Sequence, residues 1–145
     1  MRLLVQRVKE ASVTIDEKIY SKINHGYLVL LGVKEGDTKD NADFLVKKLA
    51  SLRVFADAED KMNLNIKDVK GEILVVSQFT LSADCTKGNR PSFVKAGNPQ
   101  VANELYEFFV SELKKQDIIV KTGQFAAKME VGLVNDGPAT FLIEK

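Results

Sequence analysis

Tryptophan is absent from the sequence, and cysteine and histidine occur once each, as Cys85 and His25. One cysteine excludes an intrachain disulfide, and one cysteine with one histidine falls short of a four-ligand zinc centre. A catalytic dyad or triad built on histidine has only His25 to draw on. Neither sign of charge dominates: 21 Lys and Arg residues face 20 Asp and Glu, for a formal net charge of +1. Global attraction to nucleic acid or to a membrane surface is therefore excluded, while a local basic patch is not. The apolar run Tyr27–Val33 is far shorter than the ~18 residues of a membrane span. Met1-Arg2-Leu3-Leu4 has none of the features of a secretory leader, so the expected compartment is the cytoplasm. Neither metal nor cofactor is expected. Chemistry must come from hydroxyls, amides, carboxylates, Lys or Arg, backbone groups, or the substrate itself.

What is present is an ordinary globular composition, 45% apolar and 28% charged, with no repeat and no low-complexity linker. At ~100–200 residues per domain, residues 1–145 form one domain. Leu3–Val8 and Ala11–Ile15 alternate as strands, Asp16–Lys18 suits a hairpin turn, and Ile19–Ile23 returns. Tyr27–Val33 has no polar alternation, as a strand covered on both faces requires. Beyond Gly36 the period changes. Asp37 or Thr38 can cap a helix whose buried face is Ala42, Leu45, Val46, Leu49 and Leu52. Arg53–Phe55 reads as a short strand and Glu72–Leu81 as a longer one, followed by a loop from Ser82 to Gly97. Asn98–Pro99 opens a second helix, with Asn as cap and Pro at the first position. Its face is Val101, Leu105, Phe108, Phe109 and Leu113. Ile118–Lys121, Phe125–Val134 and Ala139–Ile143 complete the strands. The expected fold is α/β, a single compact domain of mixed and antiparallel β-sheet with two main helices.

Three segments could carry chemistry. In Val76-Ser-Gln-Phe-Thr-Leu81 an apolar strand ends in Ser77, Gln78 and Thr80 around Phe79, and strand ends commonly hold ligand sites in α/β proteins. Simple alternation toward solvent would give the same pattern. A Thr80 or Ser77 nucleophile needs a base, and none is near in sequence. Asn135-Asp-Gly-Pro-Ala-Thr140 reads as a hairpin loop. A cis Gly137–Pro138 bond would instead offer two fixed carbonyls to an ammonium group. Thr86–Lys95 holds Lys87, Arg90 and Lys95 with Phe93 for stacking, which suits an RNA end as well as it suits a solvated loop. His25 at a turn and Cys85 in a loop are read as dispensable. Asp57, Glu59 and Asp60 lack an EF-hand pattern.

Together these segments resemble the D-aminoacyl-tRNA deacylases, also called D-tyrosyl-tRNA deacylases. The resemblance runs end to end. It rests on Val5-Gln-Arg-Val8, Ala11-Ser-Val13, Leu52-Arg-Val-Phe55, Ser77-Gln-Phe-Thr-Leu81, Gly88-Asn-Arg-Pro-Ser-Phe93, Thr122-Gly-x-Phe125, Met129 and Asn135-x-Gly-Pro-x-Thr140. It implies a cytoplasmic homodimer that hydrolyses the ester of D-aminoacyl-tRNA, and of glycyl-tRNA, at the tRNA 3′ end, without membrane or DNA as partner. It further implies that Gly137 and Pro138 enter the partner subunit's pocket as a cis element, braced by Arg7 and flanked by Asn135 and Thr140. Ser77, Gln78, Phe79 and Thr80 would surround the ester, with the Phe79 N–H as donor to it. Phe125, Met129 and Ala102 would form walls, and Lys87, Arg90 and Phe93 would meet RNA. Hydrolysis would then use backbone donors and the adenosine 2′-hydroxyl. Three alternatives stay open: a covalent Thr80 route, a related enzyme that edits L-alanine with a trans Gly-Pro bond, and a non-catalytic RNA-end binding module.

Overall fold

The computed structural model describes residues 1–145. The chain begins with a long strand β1 (Arg2–Ile15), then β2 (Lys18–Ile23) and β3 (Gly26–Gly32), helix α1 (Lys39–Ala50), and the short strands β4 (Phe55–Ala56) and β5 (Met62–Leu64). Strand β6 (Glu72–Ser77) ends in a 3-10 turn (Phe79–Ser82), followed by helix α2 (Pro99–Lys114), β7 (Ile119–Thr122) and β8 (Glu130–Glu144). Both helices start where the sequence places them. The Thr38 N–H donates to the Asn41 side chain at 2.8 Å, and Asn98 Oδ1 accepts from the Gln100 N–H at 2.9 Å, ahead of Pro99.

The main sheet runs β2-β1-β3-β6-β7, with β8 along the other edge of β1. Strand β3 is antiparallel to β1 and parallel to β6, which accounts for its unbroken apolar run. One face carries Leu3, Val5, Tyr27, Val29, Ile73 and Val75 against Leu45 and Leu49 of α1 and Phe109 and Leu113 of α2. The opposite face gathers Val8, Ala11, Val13, Ile23, Leu28, Leu74 and Val76 into a second cluster. Residues of β1 serve both clusters because its pairing with β8 shifts register between Gln6 and Glu10, and such a shift changes the face a side chain meets. Ser21 Oγ donates to the Thr122 carbonyl at 2.8 Å and Lys121 Nζ to the Lys22 carbonyl at 2.6 Å. These bonds draw β2 toward β7 and curl the sheet nearly into a barrel. No helix is long and apolar enough to cross a membrane.

Four expectations are corrected. The strand anticipated over Glu72–Leu81 stops at Ser77, where the Gln78 N–H donates to the Leu31 carbonyl at 2.8 Å and the chain turns. Good strand formers at Phe79, Thr80 and Leu81 are overridden by that turn. The strand anticipated from Phe125 starts only at Glu130, and Asn135–Thr140 is no hairpin loop. It lies within continuous β8, an edge strand paired only with β1, where the missing proline N–H is tolerated. The strand expected over Arg53–Phe55 is shifted into the small β4–β5 pair.

Candidate functional site

A cavity of about 660 Å³ opens where β6 ends. Its walls come from Val76–Phe79, from Phe93 and Ala96–Pro99 ahead of α2, from Ala102 on α2, and from Phe125–Ala127, Met129 and Val131, with Val33 behind. Each of the 16 lining residues is non-ionisable, and the polar side chains among them are Ser77, Gln78 and Asn98. No side chain of the lining can therefore act as a carboxylate or imidazole base. In the turn itself the first internal bond is donated by the Leu81 N–H to the Gln78 carbonyl. The N–H groups of Phe79 and Thr80 precede that bond, in the position that gives helix starts their affinity for negative charge.

The surrounding packing holds this turn tightly. A Cβ added to Gly32 would stand 3.0 Å from Leu81 Cβ and 3.2 Å from the Gln78 carbonyl oxygen, so glycine at the end of β3 lets the turn close down. Phe79 is 58% exposed and meets Phe93 with ring centroids 5.1 Å apart, forming an aromatic rim. Behind the opposite wall, Tyr106 donates its hydroxyl to the Val75 carbonyl at 2.9 Å and contacts Phe125 with centroids 5.9 Å apart. Burial pushes the Tyr106 phenol well above its ordinary range, so this hydroxyl remains a fixed donor that ties α2 to β6.

A second group of residues gathers on β8 and the facing part of β1. Asn135 grips the chain across the Gly137–Pro138 step: its Nδ2 donates to the Ala139 carbonyl at 3.1 Å and its Oδ1 accepts from the Ala139 N–H at 2.9 Å. Arg7 Nε donates to the Asp136 carbonyl at 2.8 Å and lies 3.4 Å from the Asp136 carboxylate. The rest of the guanidinium reaches the Val54 carbonyl. Gln6 Nε2 donates to Thr140 Oγ1 at 3.3 Å. A Cβ on Gly137 would fall 2.1 Å from the Ala139 nitrogen, so only glycine fits. The Gly137–Pro138 bond is cis, and both residues are exposed. His25 Nε2 stands 4.0 Å from the Asp136 carboxylate and its ring meets the Phe55 ring edge-on.

The fold thus brings Ser77, Gln78, Phe79, Phe93, Ala102, Phe125 and Met129 together around one cavity. Arg7, Asn135, Gly137, Pro138 and Thr140 form a separate braced element outside that lining. Thr80 is exposed, also outside the lining, with its Oγ1 accepting from Gln78 Nε2. Lys87 and Arg90 are exposed loop residues that do not reach the cavity. Sequence reading missed Ala96, Gly97 and Ala126–Ala127 as walls, because small residues in loops carry no chemical signature. It took Asn98–Pro99 as a helix start only, although the same pair walls the cavity.

A cleft at the carboxyl end of a strand, with a polar turn on one side and aromatics on the rim, is where α/β domains commonly hold small ligands. The model of the D-Tyr-tRNA(Tyr) deacylase family matches residues 4–144, and the chain belongs to that family. It is 54% identical over 145 residues to the D-aminoacyl-tRNA deacylase of Exiguobacterium sibiricum, spanning all of both chains. A solved structure of the c-Myc DNA Unwinding Element Binding Protein is 40% identical, with a TM-score of 0.94 over 100% of this chain and 99% of its own. A probable eukaryotic D-amino acid tRNA deacylase shares the fold at 15% identity, with a TM-score of 0.85 over 99% of this chain and 98% of its own.

Proposed function

We propose that the protein hydrolyses the ester linking a D-amino acid, or glycine, to the 3′-terminal adenosine of tRNA. The observation that carries this reading is the cavity at the end of β6, whose lining offers a hydroxyl, two amides and the Phe79 N–H but no ionisable side chain. An aminoacyl ester is already reactive, so a site that positions it and stabilises the developing oxyanion suffices. In this reading the Phe79 N–H meets the oxyanion, Ser77 and Gln78 orient the ester, and the adenosine 2′-hydroxyl orients the attacking water. The Phe79–Phe93 rim offers an apolar surface on which a nucleobase can stack.

Selectivity comes from Gly137–Pro138 of a second copy. An ammonium group common to all amino acids is read by backbone carbonyls, while a rigid wall leaves an L side chain no room, whatever its chemistry. Two observations support this assignment. The element is exposed yet braced from three sides by Arg7, Asn135 and Gln6, which suits a projecting part better than a passive strand. In the same sheet Leu4 lies between Leu30 and Leu142 in register, and Leu142 is 57% exposed. That apolar row fits cover by a second subunit.

The test is release of the amino acid from D-Tyr-tRNA, L-Tyr-tRNA and L-Ala-tRNA by the purified protein. Rapid release from the D-ester alone is expected. Preferential release of L-alanine would move the reading to alanine editing, and no release from any ester would leave an RNA-end binding module. The DNA-related description of the 40% identical structure favours adding a duplex DNA competitor. Duplex DNA, which has no aminoacyl ester to place in the cavity, is expected to compete poorly.

A further inference from the structure

At the far end of the Phe79–Ser82 turn lies a second recess of about 380 Å³, whose lining includes Arg2, Lys34, Ser82, Asp84, Thr86 and Lys95. We propose that this recess binds an RNA backbone phosphate, the one that precedes the terminal nucleoside held in the cavity; the proposal rests on the functional reading above. The cations positioned beside the site are thus Arg2, Lys34 and Lys95, and not the outlying Lys87 and Arg90.

Placement carries the argument. The turn presents Phe79 to the cavity and Ser82 to the recess. Three steps of a 3-10 turn advance about 6 Å, comparable to the single ribose that separates a 3′ ester from the 5′ phosphate of the same nucleoside. The two sites also share structure. Arg2 Nη1 donates to the Leu81 carbonyl at 2.5 Å, so a phosphate held by Arg2 is tied to the turn that meets the ester. Lys34 and Ala96 pair as a β-bridge, and Ala96 lines the cavity. Lys95 therefore leads directly into the cavity wall.

The charge balance favours an anion. Two carboxylates face the cations. Glu144 lies between Arg2 Nε and Lys34 Nζ, the latter at 3.1 Å, and hydrogen bonds from Lys34 and then Arg2 hold its carboxyl below the usual range. One carboxylate is thus shared by two cations. Asp84 Oδ2 stands 3.8 Å from Lys95 Nζ, while its Oδ1 accepts from the Thr86 N–H at 3.0 Å and Thr86 Oγ1 at 2.7 Å. Three cations against two carboxylates leave a net positive recess, and Lys95 is largely solvated and free to swing onto a ligand. Phosphate bound there forms charge-assisted hydrogen bonds, the stronger kind.

The experiment compares two esters that differ by one group, 3′-O-D-tyrosyl-adenosine and its 5′-monophosphate. The wild-type protein is expected to prefer the phosphorylated ester, chiefly through KM. In Lys34→Ala/Lys95→Ala that preference falls about tenfold, and Lys34→Arg/Lys95→Arg restores it. Equal kcat/KM for the two esters in the wild type, or a preference that survives the double alanine variant, overturns the proposal. Should the wild type cleave neither ester, the functional reading fails, and calorimetry with adenosine and adenosine 5′-monophosphate decides the recess separately. Tighter binding of the monophosphate that the double variant loses upholds it, and equal binding overturns it.

Discussion

The cavity at the end of β6 and the Asn135–Thr140 element of β8 solve opposite problems with related means. The cavity is concave, lined by small, apolar and amide side chains, and its chemistry lies in backbone N–H groups. The Gly137–Pro138 step of β8 is exposed, and in the proposed function the groups it offers are backbone carbonyls. Each is held from behind: the cavity by the Tyr106 hydroxyl and the space that Gly32 leaves, and Gly137–Pro138 by Arg7 and Asn135. In the proposed function these are the oxyanion donors and the ammonium acceptors of an aminoacyl-ester site, and within one chain they lie on different surfaces. On the proposed reading, a second copy supplies the missing half.

The largest effect is expected on the β8 half. Gly137→Ala places a Cβ 2.1 Å from the Ala139 nitrogen, so the backbone must move, and a displacement of about an ångström at a reacting site costs about hundredfold in rate. Single-turnover hydrolysis of D-Tyr-tRNA measures this, and a loss under threefold would show that the element has no part in the reaction. Next is Arg7→Ala, which removes the charge-assisted bonds to Asp136 and Val54. Such bonds are worth about 1.5–3 kcal/mol, so the ratio of D- to L-ester cleavage should fall by tenfold or more, accompanied by a lower Tm. On the concave half, Phe93→Ala strips one ring from the rim and should raise KM about fivefold with kcat nearly kept, as expected for an aromatic pair worth about 1 kcal/mol. The smallest change belongs to Thr80→Ala. Its hydroxyl only accepts from Gln78, so the rate should fall no more than about twofold, and a loss of several orders would restore a covalent route.

Much of this was legible in the residues. Caps at Thr38 and Asn98 and the doubly covered run of β3 are local signals that appear where their pattern places them; the helix faces do so in part, since Leu52 lies beyond α1, Val101 is exposed, and Tyr106 and Val110 are buried instead. The site residues named from Ser77–Thr80 and from Phe125 and Met129 also converge, apart from Thr80, because the strand end at Ser77 fixes their direction. What was not legible depends on contacts distant in sequence. Phe79, Thr80 and Leu81 have strand propensity, and only the bond from the Gln78 N–H to Leu31, together with the space Gly32 leaves, turns them aside. Asn135–Thr140 carries every turn residue of a hairpin, yet β1 pairs with the segments on either side of it and keeps it in one strand. The grouping of Lys95 with Arg2 and Lys34 was hidden for the same reason. Lys87, Arg90 and Lys95 stand out in one basic stretch, whereas Arg2 and Lys34 join Lys95 only through the fold.

The division of the site between two copies is tested most directly by complementation. One variant carries Gly137→Ala and keeps an open cavity; the other carries Ala102→Trp, which fills the cavity, and keeps an intact β8 element. Each alone should be nearly inactive toward D-Tyr-tRNA. After co-refolding or co-expression in equal amounts, random pairing yields half mixed dimers, each with one intact composite site, so about a quarter of wild-type activity should return. If the mixture stays as inactive as its parents while mixed dimers are shown to form, the site does not span two copies and the account is contradicted.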